Sequence, residues 1–349
     1  MKIWLMRLAF LGAFAFLGLT VLNASWLANV PRGKPLMISH GGTGQYFDRT
    51  TLTEGECPAA AIEQQVHPYI ENTLPAIMRA SDLGVRMVAV DLQASADGEL
   101  VVFGDSTLDC RTDGSGPVSS LTLDELRRLD AGHGYSDDGG QSFPLRGSAK
   151  GEIRSITDIV RAYGLRKPLM FRFASDDAAQ ADLLLAKLAE AGRDPVETRD
   201  AFVGPAAPIA RIRERLPEAW AFVPEQAQQC ASDYVLGGWY GALPASCKGG
   251  TMLVPVDEQW KFWGWPNRLI QRMEEHGGEI IVTGPDAAHD RLTGLTLPEQ
   301  LGDIPSTFNG FILVDDTWNV APALYPARDG RSIPLREASA QALQKRREQ

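Results

Sequence analysis

Between Leu36 and Thr112 the chain concentrates side chains able to carry protons and balance charge: His40, the triplet Glu71-Asn72-Thr73, Asp91 and Asp105. An imidazole exchanges protons near neutral pH, and ionised carboxylates accept from cations and hydrogen-bond donors. A lone histidine is more often structural than catalytic. His40 is placed otherwise, because it closes an apolar run with Ser39 before it, Gly41-Gly42 after it and the Glu-Asn-Thr triplet downstream. That setting makes it the candidate acid or base.

The elements that must position these groups are legible as short apolar runs. Eight recur, at Leu36–Ser39, Met87–Leu92, Leu169–Phe173, Ala201–Val203, Ala219–Val223, Met252–Pro255, Glu279–Thr283 and Gly310–Val314. Helical stretches fall between them, including Leu74–Leu83, Asp182–Ala191, Pro208–Leu216 and Pro266–His276. Parallel strands buried on both faces and joined by helices give this pattern. It predicts an α/β fold, a closed (β/α)8 TIM barrel, with a doubly wound open sheet as the alternative. In a barrel, catalytic groups stand at the C-terminal ends of strands. His40 then ends strand one, Asp91 lies near the end of strand two, and Glu71 sits in the loop before the first helix.

The run LMISHGG, followed by IENTLPAIMRASDLGVRMVAVDLQASADGELVVFGDSTLDCRT, resembles the first third of a glycerophosphodiester phosphodiesterase. The motifs of that TIM-barrel family run His-Arg-Gly, Glu-Asn-Thr, Glu-x-Asp and His-Asp. His40, Glu71, Asn72, Thr73, Asp91 and Asp105 stand where the family has them. The resemblance covers about residues 35 to 325, strongly through Arg161 and weakly after Pro195, where GGEIIVTG and FNGFILVDD are similar to the last two strands. It implies a phosphoric diester hydrolase ancestry in glycerophosphodiester metabolism. In the family a divalent metal on the carboxylates polarises the phosphate, the arginine offsets its charge, and the two histidines act as general acid and base.

On that resemblance His40 keeps the acid or base role, and Glu71 and Asp91 are the candidate metal ligands. The departures are specific. Gly41 replaces the arginine, Ala89 the first carboxylate of Glu-x-Asp, and Gly104 the second histidine. At strand three the family shows a pattern like Ile-Glu-Ile-Lys, where this chain reads Phe171-Arg172-Phe173-Ala174. A hard cation wants about six oxygen ligands, so two carboxylates are a thin basis for a site. No tightly bound cofactor is expected, and Mg²⁺ or Ca²⁺ are the ions an active enzyme would take. Arg172 is expected to pair with Glu71 or Asp91, or with a phosphate, as a fixed cation in place of a removable one. His67 and His133 are the candidate stand-ins for the lost histidine, and each reads first as a loop or surface residue. Trp239-Tyr240 and the FWGWP run at Phe262–Pro266 are expected after strands five and six, as walls for a glycerol or lipid-derived group or as packing under loops.

The second crossover, about residues 98 to 167, is long enough to be an inserted subdomain, and the family carries a similar small insertion. Within it Thr122 and Glu125 have the spacing of a helix N-cap and capping-box partner. The DGSGP stretch at Asp113–Pro117 reads as a turn, since it lacks the lysine and helix of a phosphate loop. The barrel domain is taken as residues 31–325, and 326–349 as a polar C-terminal tail, basic at the end and solvated.

With 44% hydrophobic residues over 349 positions the chain can bury a barrel-sized core, and a net charge of −10 argues against a nucleic-acid partner. Residues 1–30 form a targeting segment. Lys2 and Arg7 precede an apolar run from Leu8 to Leu22 that extends through Ala24, Trp26, Leu27 and Ala28. About 20 such residues span a bilayer of roughly 30 Å. An uncleaved anchor is favoured over a cleaved signal, with the body exported to the periplasm or cell exterior. Cys57, Cys110, Cys230 and Cys247 lack close metal or redox spacing and suit an oxidising compartment. Of three pairings, Cys57 with Cys110 and Cys230 with Cys247 is favoured, since each clips a loop to a neighbouring part of the barrel.

Three functions follow. The first is an exported, membrane-anchored family member with hydrolysis lost or strongly impaired, which binds a glycerophosphodiester or another small phosphate- or glycerol-bearing ligand. The second is an active metal-dependent phosphodiesterase with a rebuilt site, and the third a non-catalytic envelope scaffold.

Overall fold

A computed structural model describes residues 2–48, 52, 56–285 and 292–348. The barrel strands are β1 (Leu36–His40), β2 (Met87–Ala94), β4 (Leu169–Phe173), β5 (Ala201–Val203), β6 (Trp220–Phe222), β7 (Thr251–Pro255), β8 (Glu279–Thr283) and β9 (Phe311–Val314). The short β3 (Leu100–Val102) pairs antiparallel with β2. Helices α1 (Lys2–Leu22), α2 (Leu74–Asp82), α3 (Leu123–Leu126), α4 (Ile156–Tyr163), α5 (Ala178–Glu190) and α6 (Pro195–Thr198) come first in the chain. They are followed by α7 (Ala206–Arg215), α8 (Pro224–Gly237), α9 (Asn267–Glu275), α10 (Thr317–Leu324) and α11 (Ile333–Glu348). Eight parallel strands alternating with helices make a (β/α)8 TIM barrel, the fold class expected from the apolar runs.

The chain divides into two compact units. One comprises Met1–Leu36, Pro224–Thr293 and Gly302–Leu313, the other Met37–Val223, Gly294–Leu301 and Val314–Gln349. The second unit carries the strand order β6-β5-β4-β2-β1. Its register sets His40 beside Ala89 and Asp91 beside Arg172. Alternation along β2 puts Ala89 and Asp91 on one face, since side chains two apart point the same way. The insertion between β3 and α4 has its own small core, with Val101, Phe103, Leu126, Tyr135 and Ile153 buried together. Its helix α3 starts on the capping box read from sequence, the Thr122 hydroxyl accepting from Glu125 N and the Glu125 carboxylate accepting from Thr122 N. The Cys57–Cys110 disulfide fastens the loop after β1 to this insertion.

The C-terminal segment departs from the solvated tail expected. Helix α11 buries Ser339, Ala342 and Leu343. Its Arg346 inserts between Glu63 and Asp316, at 2.9 Å from a carboxylate oxygen of each, and stacks 3.5 Å over the Tyr46 ring. The basic run hid this because a guanidinium can be buried when its charge and donors are matched.

In the first unit, β7, β8 and β9 are parallel neighbours, and Cys230 on α8 is bonded to Cys247. Both disulfides are those favoured from the sequence. Helix α1 includes a stretch, Ile3–Leu22, long and apolar enough to cross a membrane by length and composition, and none of it is buried.

Candidate active site

The residues singled out from sequence converge at the C-terminal ends of β1, β2 and β4. His40 ends β1, and its Nδ1 lies 3.3 Å from Oδ1 of Asp315, just beyond β9. An imidazole held by a carboxylate on one nitrogen has its tautomer and orientation set for proton transfer at the other. Asp315 belongs to the FNGFILVDD stretch, which from sequence served only to locate a strand.

Asn72 is the pivot of the Glu-Asn-Thr triplet. Its φ of 62° is a left-handed conformation that asparagine tolerates better than most residues. The backbone turn lets its N–H donate to the Gly41 carbonyl at 2.7 Å, while its side chain works on β2. There Nδ2 donates to Asp91 Oδ2 at 2.8 Å and Oδ1 accepts from the Asp91 N–H at 3.0 Å. Loop and strand are thereby locked together around one carboxylate.

Asp91 receives a second partner from β4. Arg172 Nη1 lies 2.7 Å from Asp91 Oδ1, the contact expected from the two residues' alignment. Burial opposes ionisation of Asp91, but Arg172, His40 and the Asn72 amide outweigh it and hold the carboxyl below its ordinary value. Arg172 keeps 30% exposure of its side chain, so it remains open to a ligand from the mouth. Ala174, where the family has lysine, is exposed beyond the strand.

Glu71 is not shared with Arg172. It is bonded to Arg111, a residue the sequence reading left unassigned, whose Nη1 donates to Glu71 Oε1 and, at 2.6 Å, to the Tyr135 hydroxyl. Arg111 Nε donates to Asp105 Oδ2 at 2.8 Å. Burial works against the guanidinium charge, yet Tyr135, Glu71 and Asp105 together raise the Arg111 pKa well above normal. One buried cation thus organises two of the family-type carboxylates. The enclosed space beside it, next to Glu71, Asn72 and Gly104, is about 10 Å³, on the scale of a single water.

Gly41 has a steric reason to be glycine, whereas Gly104 is only closely approached. Gly41 has φ 65°, and a β-carbon on it would stand 2.7 Å from Glu71 Cβ. A β-carbon on Gly104 would lie 3.2 Å from Asn72 Nδ2 and 3.5 Å from Asp91 Oδ2, so the position where the resemblance expects a histidine faces the Asp91 carboxylate.

Three of the four carboxylate oxygens of Glu71 and Asp91 already have partners. Glu71 Oε1 takes the Arg111 donor while its Oε2 is buried without a hydrogen-bond partner, Asp91 gives one oxygen to Arg172 and the other to Asn72, and each guanidinium would repel a cation placed between them. Among the described residues no three His, Cys, Asp or Glu side chains are grouped as metal ligands would be.

The other candidates lie elsewhere. His67 is buried, bonded at Nδ1 to Gln45 Nε2 with its ring tilted 4.7 Å from that of Trp318, and burial lowers its pKa to about 4. His133 is half-buried in the insertion, where its carbonyl accepts from Arg146 Nε. Trp239 and Tyr240 follow α8, not a strand, and Phe262–Pro266 follow β7 but pack toward α8 and the end of α1. Trp263 Nε1 donates to the Val235 carbonyl, and its ring meets Phe16 edge-on. Of the two expectations for the FWGWP run, packing under loops is the one these contacts match, whereas Trp239 and Tyr240 stay exposed.

Residues 61–150 match the family model described as the glycerophosphoryl diester phosphodiesterase family. Uncharacterized protein Rv2277c of Mycobacterium tuberculosis is 30% identical over 180 residues, which make up 49% of this chain and 58% of that protein. The crystal structure of its glycerophosphoryl diester phosphodiesterase domain aligns with a TM-score of 0.60 at 18% identity, over 84% of this chain and 99% of that one. A glycerophosphodiester phosphodiesterase of Caldanaerobacter subterraneus is 47% identical over 62 residues, 18% of this chain and 26% of that enzyme. The chain therefore matches about half to a quarter of the length of these sequence relatives. An Oleispira antarctica phosphodiesterase solved with its product sn-glycerol-3-phosphate shares the fold, with a TM-score of 0.52 at 16% identity over 84% of this chain and 97% of that one. Residues 61–150 thus match the glycerophosphoryl diester phosphodiesterase family model, and the barrel that carries them has the fold of these solved structures.

Proposed function

We propose that this protein is an exported, membrane-anchored member of the glycerophosphodiester phosphodiesterase family that binds a small phosphate- or glycerol-bearing ligand at the barrel mouth and has lost, or nearly lost, phosphodiester hydrolysis. The observation that carries the reading is the pairing of each surviving metal-type carboxylate with its own arginine, Glu71 with Arg111 and Asp91 with Arg172. Two fixed cations do part of what a metal does, since they offset anionic charge, but they supply neither an activated water nor a Lewis acid. Gly104 adds no proton donor beside Asp91. A phosphate ligand would be met by Arg172 and His40, the half-exposed cation and the imidazole of the mouth. The product-bound Oleispira relative makes sn-glycerol-3-phosphate the first ligand to try.

A second reading, slow hydrolysis by a rebuilt site, rests on the His40–Asp315 pair, which is an oriented general acid or base. One experiment separates the two. Purified protein is incubated with glycerophosphodiesters in the presence of Mg²⁺ or Ca²⁺, and its melting temperature is followed with sn-glycerol-3-phosphate. Stabilisation without turnover is expected, because a ligand that binds only the native state raises its stability. Turnover abolished by both His40→Gln and Asp315→Asn would establish the second reading instead.

A further inference from the structure

We propose that the face of the first unit around the end of α1 is a seat for the phospholipid bilayer. It takes acyl-chain and headgroup contacts on an aromatic collar and lipid phosphate in an adjoining cationic groove. The proposal rests on the reading of α1 as a retained anchor and goes beyond it, because an anchor on a loose tether would leave the body free of the lipid.

The end of α1 is not a loose tether. Asn23, one residue past the helix, is 2% exposed. Its Nδ2 donates to the Trp239 carbonyl at 2.5 Å, and its Oδ1 accepts from Arg272 Nη2 at 2.6 Å. Ser25 Oγ accepts from the Asn267 N–H at 3.0 Å. Cleavage of the apolar segment beyond this point would leave the Arg272 donor and the Trp239 carbonyl without these partners. The same bonds fix where the helix leaves the body, so the surface around that exit must meet whatever layer the helix enters.

That surface carries the residue types of a membrane interface. Trp26 is 76% exposed, Trp260 80% and Leu236 77%, with Trp239 and Tyr240 also outward. Tryptophan and tyrosine favour the headgroup level, where an apolar ring and a polar edge are both satisfied. Single exposed apolar residues are ordinary, but several bulky ones grouped around an apolar helix mark an interaction face. Two grooves flank the exit. One, of about 740 Å³, runs between Thr20–Ser25 and the Gln259–Trp265 loop. The other, of about 600 Å³, is lined by Leu22, Tyr240, Lys248, Arg268, Arg272 and Glu275. Three cations against one carboxylate favour an anion there, and Arg268 Nε is buried without a hydrogen-bond partner in the protein. The proximity of apolar helix, aromatic collar and unsatisfied guanidinium matches the layered chemistry of chains, interface and phosphate. The protein as a whole carries a charge of −10, so this local positive groove runs against the overall sign.

The test uses the full chain in nanodiscs of phosphatidylcholine and phosphatidylglycerol brominated at a shallow acyl position, on a Trp4→Phe background so that α1 carries no tryptophan. Seating predicts strong quenching of tryptophan emission. The quenched fraction should at least halve when Trp26, Trp239 and Trp260 are replaced by Phe, and stay unchanged in Trp318→Phe, whose ring is buried in the other unit. Combined Lys248→Gln and Arg268→Gln should lower it about twofold. Intact α1 by N-terminal sequencing with no quenching overturns the seat alone, whereas a mature chain beginning beyond Leu22 overturns anchor and seat together. Quenching that ignores the two cation substitutions overturns the headgroup groove.

Discussion

Arg172 and Asp91 stand side by side in register on adjacent parallel strands, with a guanidinium nitrogen 2.7 Å from a carboxylate oxygen. The pair couples the site to pH. Asp91 is held below its unfolded value of about 3.9, so it contributes stability that is fully present above that pH and is lost as the pH falls through its lower folded value. Arg172→Ala removes the strongest group opposing its burial. The variant is expected to be less stable by about 1–3 kcal/mol at pH 7, with the difference shrinking toward pH 3. Urea unfolding at stepped pH measures this, and a gap that does not narrow in acid would argue against the assignment.

Arg111 has no comparable freedom, since it is buried and serves Glu71, Asp105 and Tyr135 at once. Arg111→Ala leaves two carboxylates facing each other without their cation, and a loss of about 3–5 kcal/mol is expected. Arg111→Lys should recover only part, because one ammonium cannot reproduce a planar fork with donors in three directions. Full stability in the lysine variant, read from the urea midpoint, would contradict this geometry.

On the proposed function, placing the family's arginine next to His40 is not expected to produce turnover. At Gly41 a side chain meets both a positive φ and the Glu71 Cβ, so Gly41→Arg is expected to cost at least about 1–3 kcal/mol and to yield no hydrolysis of glycerophosphodiesters. A thermal melt and a turnover assay on the same preparation check the two halves separately.

His67 makes a pH signature of its own. Its pKa drops to about 4 from an unfolded value near 6.5 because burial disfavours the charged form. The unfolded chain therefore binds the proton first, and stability present above pH 6.5 should fall by on the order of 3 kcal/mol as the pH goes to 4. His67→Asn, which keeps an acceptor for Gln45, should flatten that slope. A wild-type stability curve already flat between pH 6.5 and 4 would refute it.

The strands were legible because parallel barrel strands are buried on both faces and so appear as continuous apolar runs. Leu169–Phe173, Ala201–Val203 and Glu279–Thr283 coincide with β4, β5 and β8. The Arg172–Asp91 contact was legible only through the family resemblance, which put Arg172 at a carboxylate position of strand three and left Glu71 or Asp91 as its partner; the register of β2 and β4 decides for Asp91. Arg111 was not, because its partner Glu71 lies 40 residues away and the two meet only through the folded insertion. Asp315 was hidden in a stretch whose signal was hydrophobic. The burial of α11 could not be read either, since its most buried charge looks identical in sequence to the exposed ones beside it.

The Arg346 clamp has a consequence for the order in which the site is built. Arg346 grips Glu63 across a sequence separation of 283 and Asp316 next to the histidine's partner, so the loops after β1 and β9 gain this restraint only when α11 docks. Contacts of such long sequence separation close late, after local helices and neighbouring strands have formed. The barrel mouth is therefore among the last parts of the molecule to set, and a chain stalled before residue 346 would have its strands but not its finished rim.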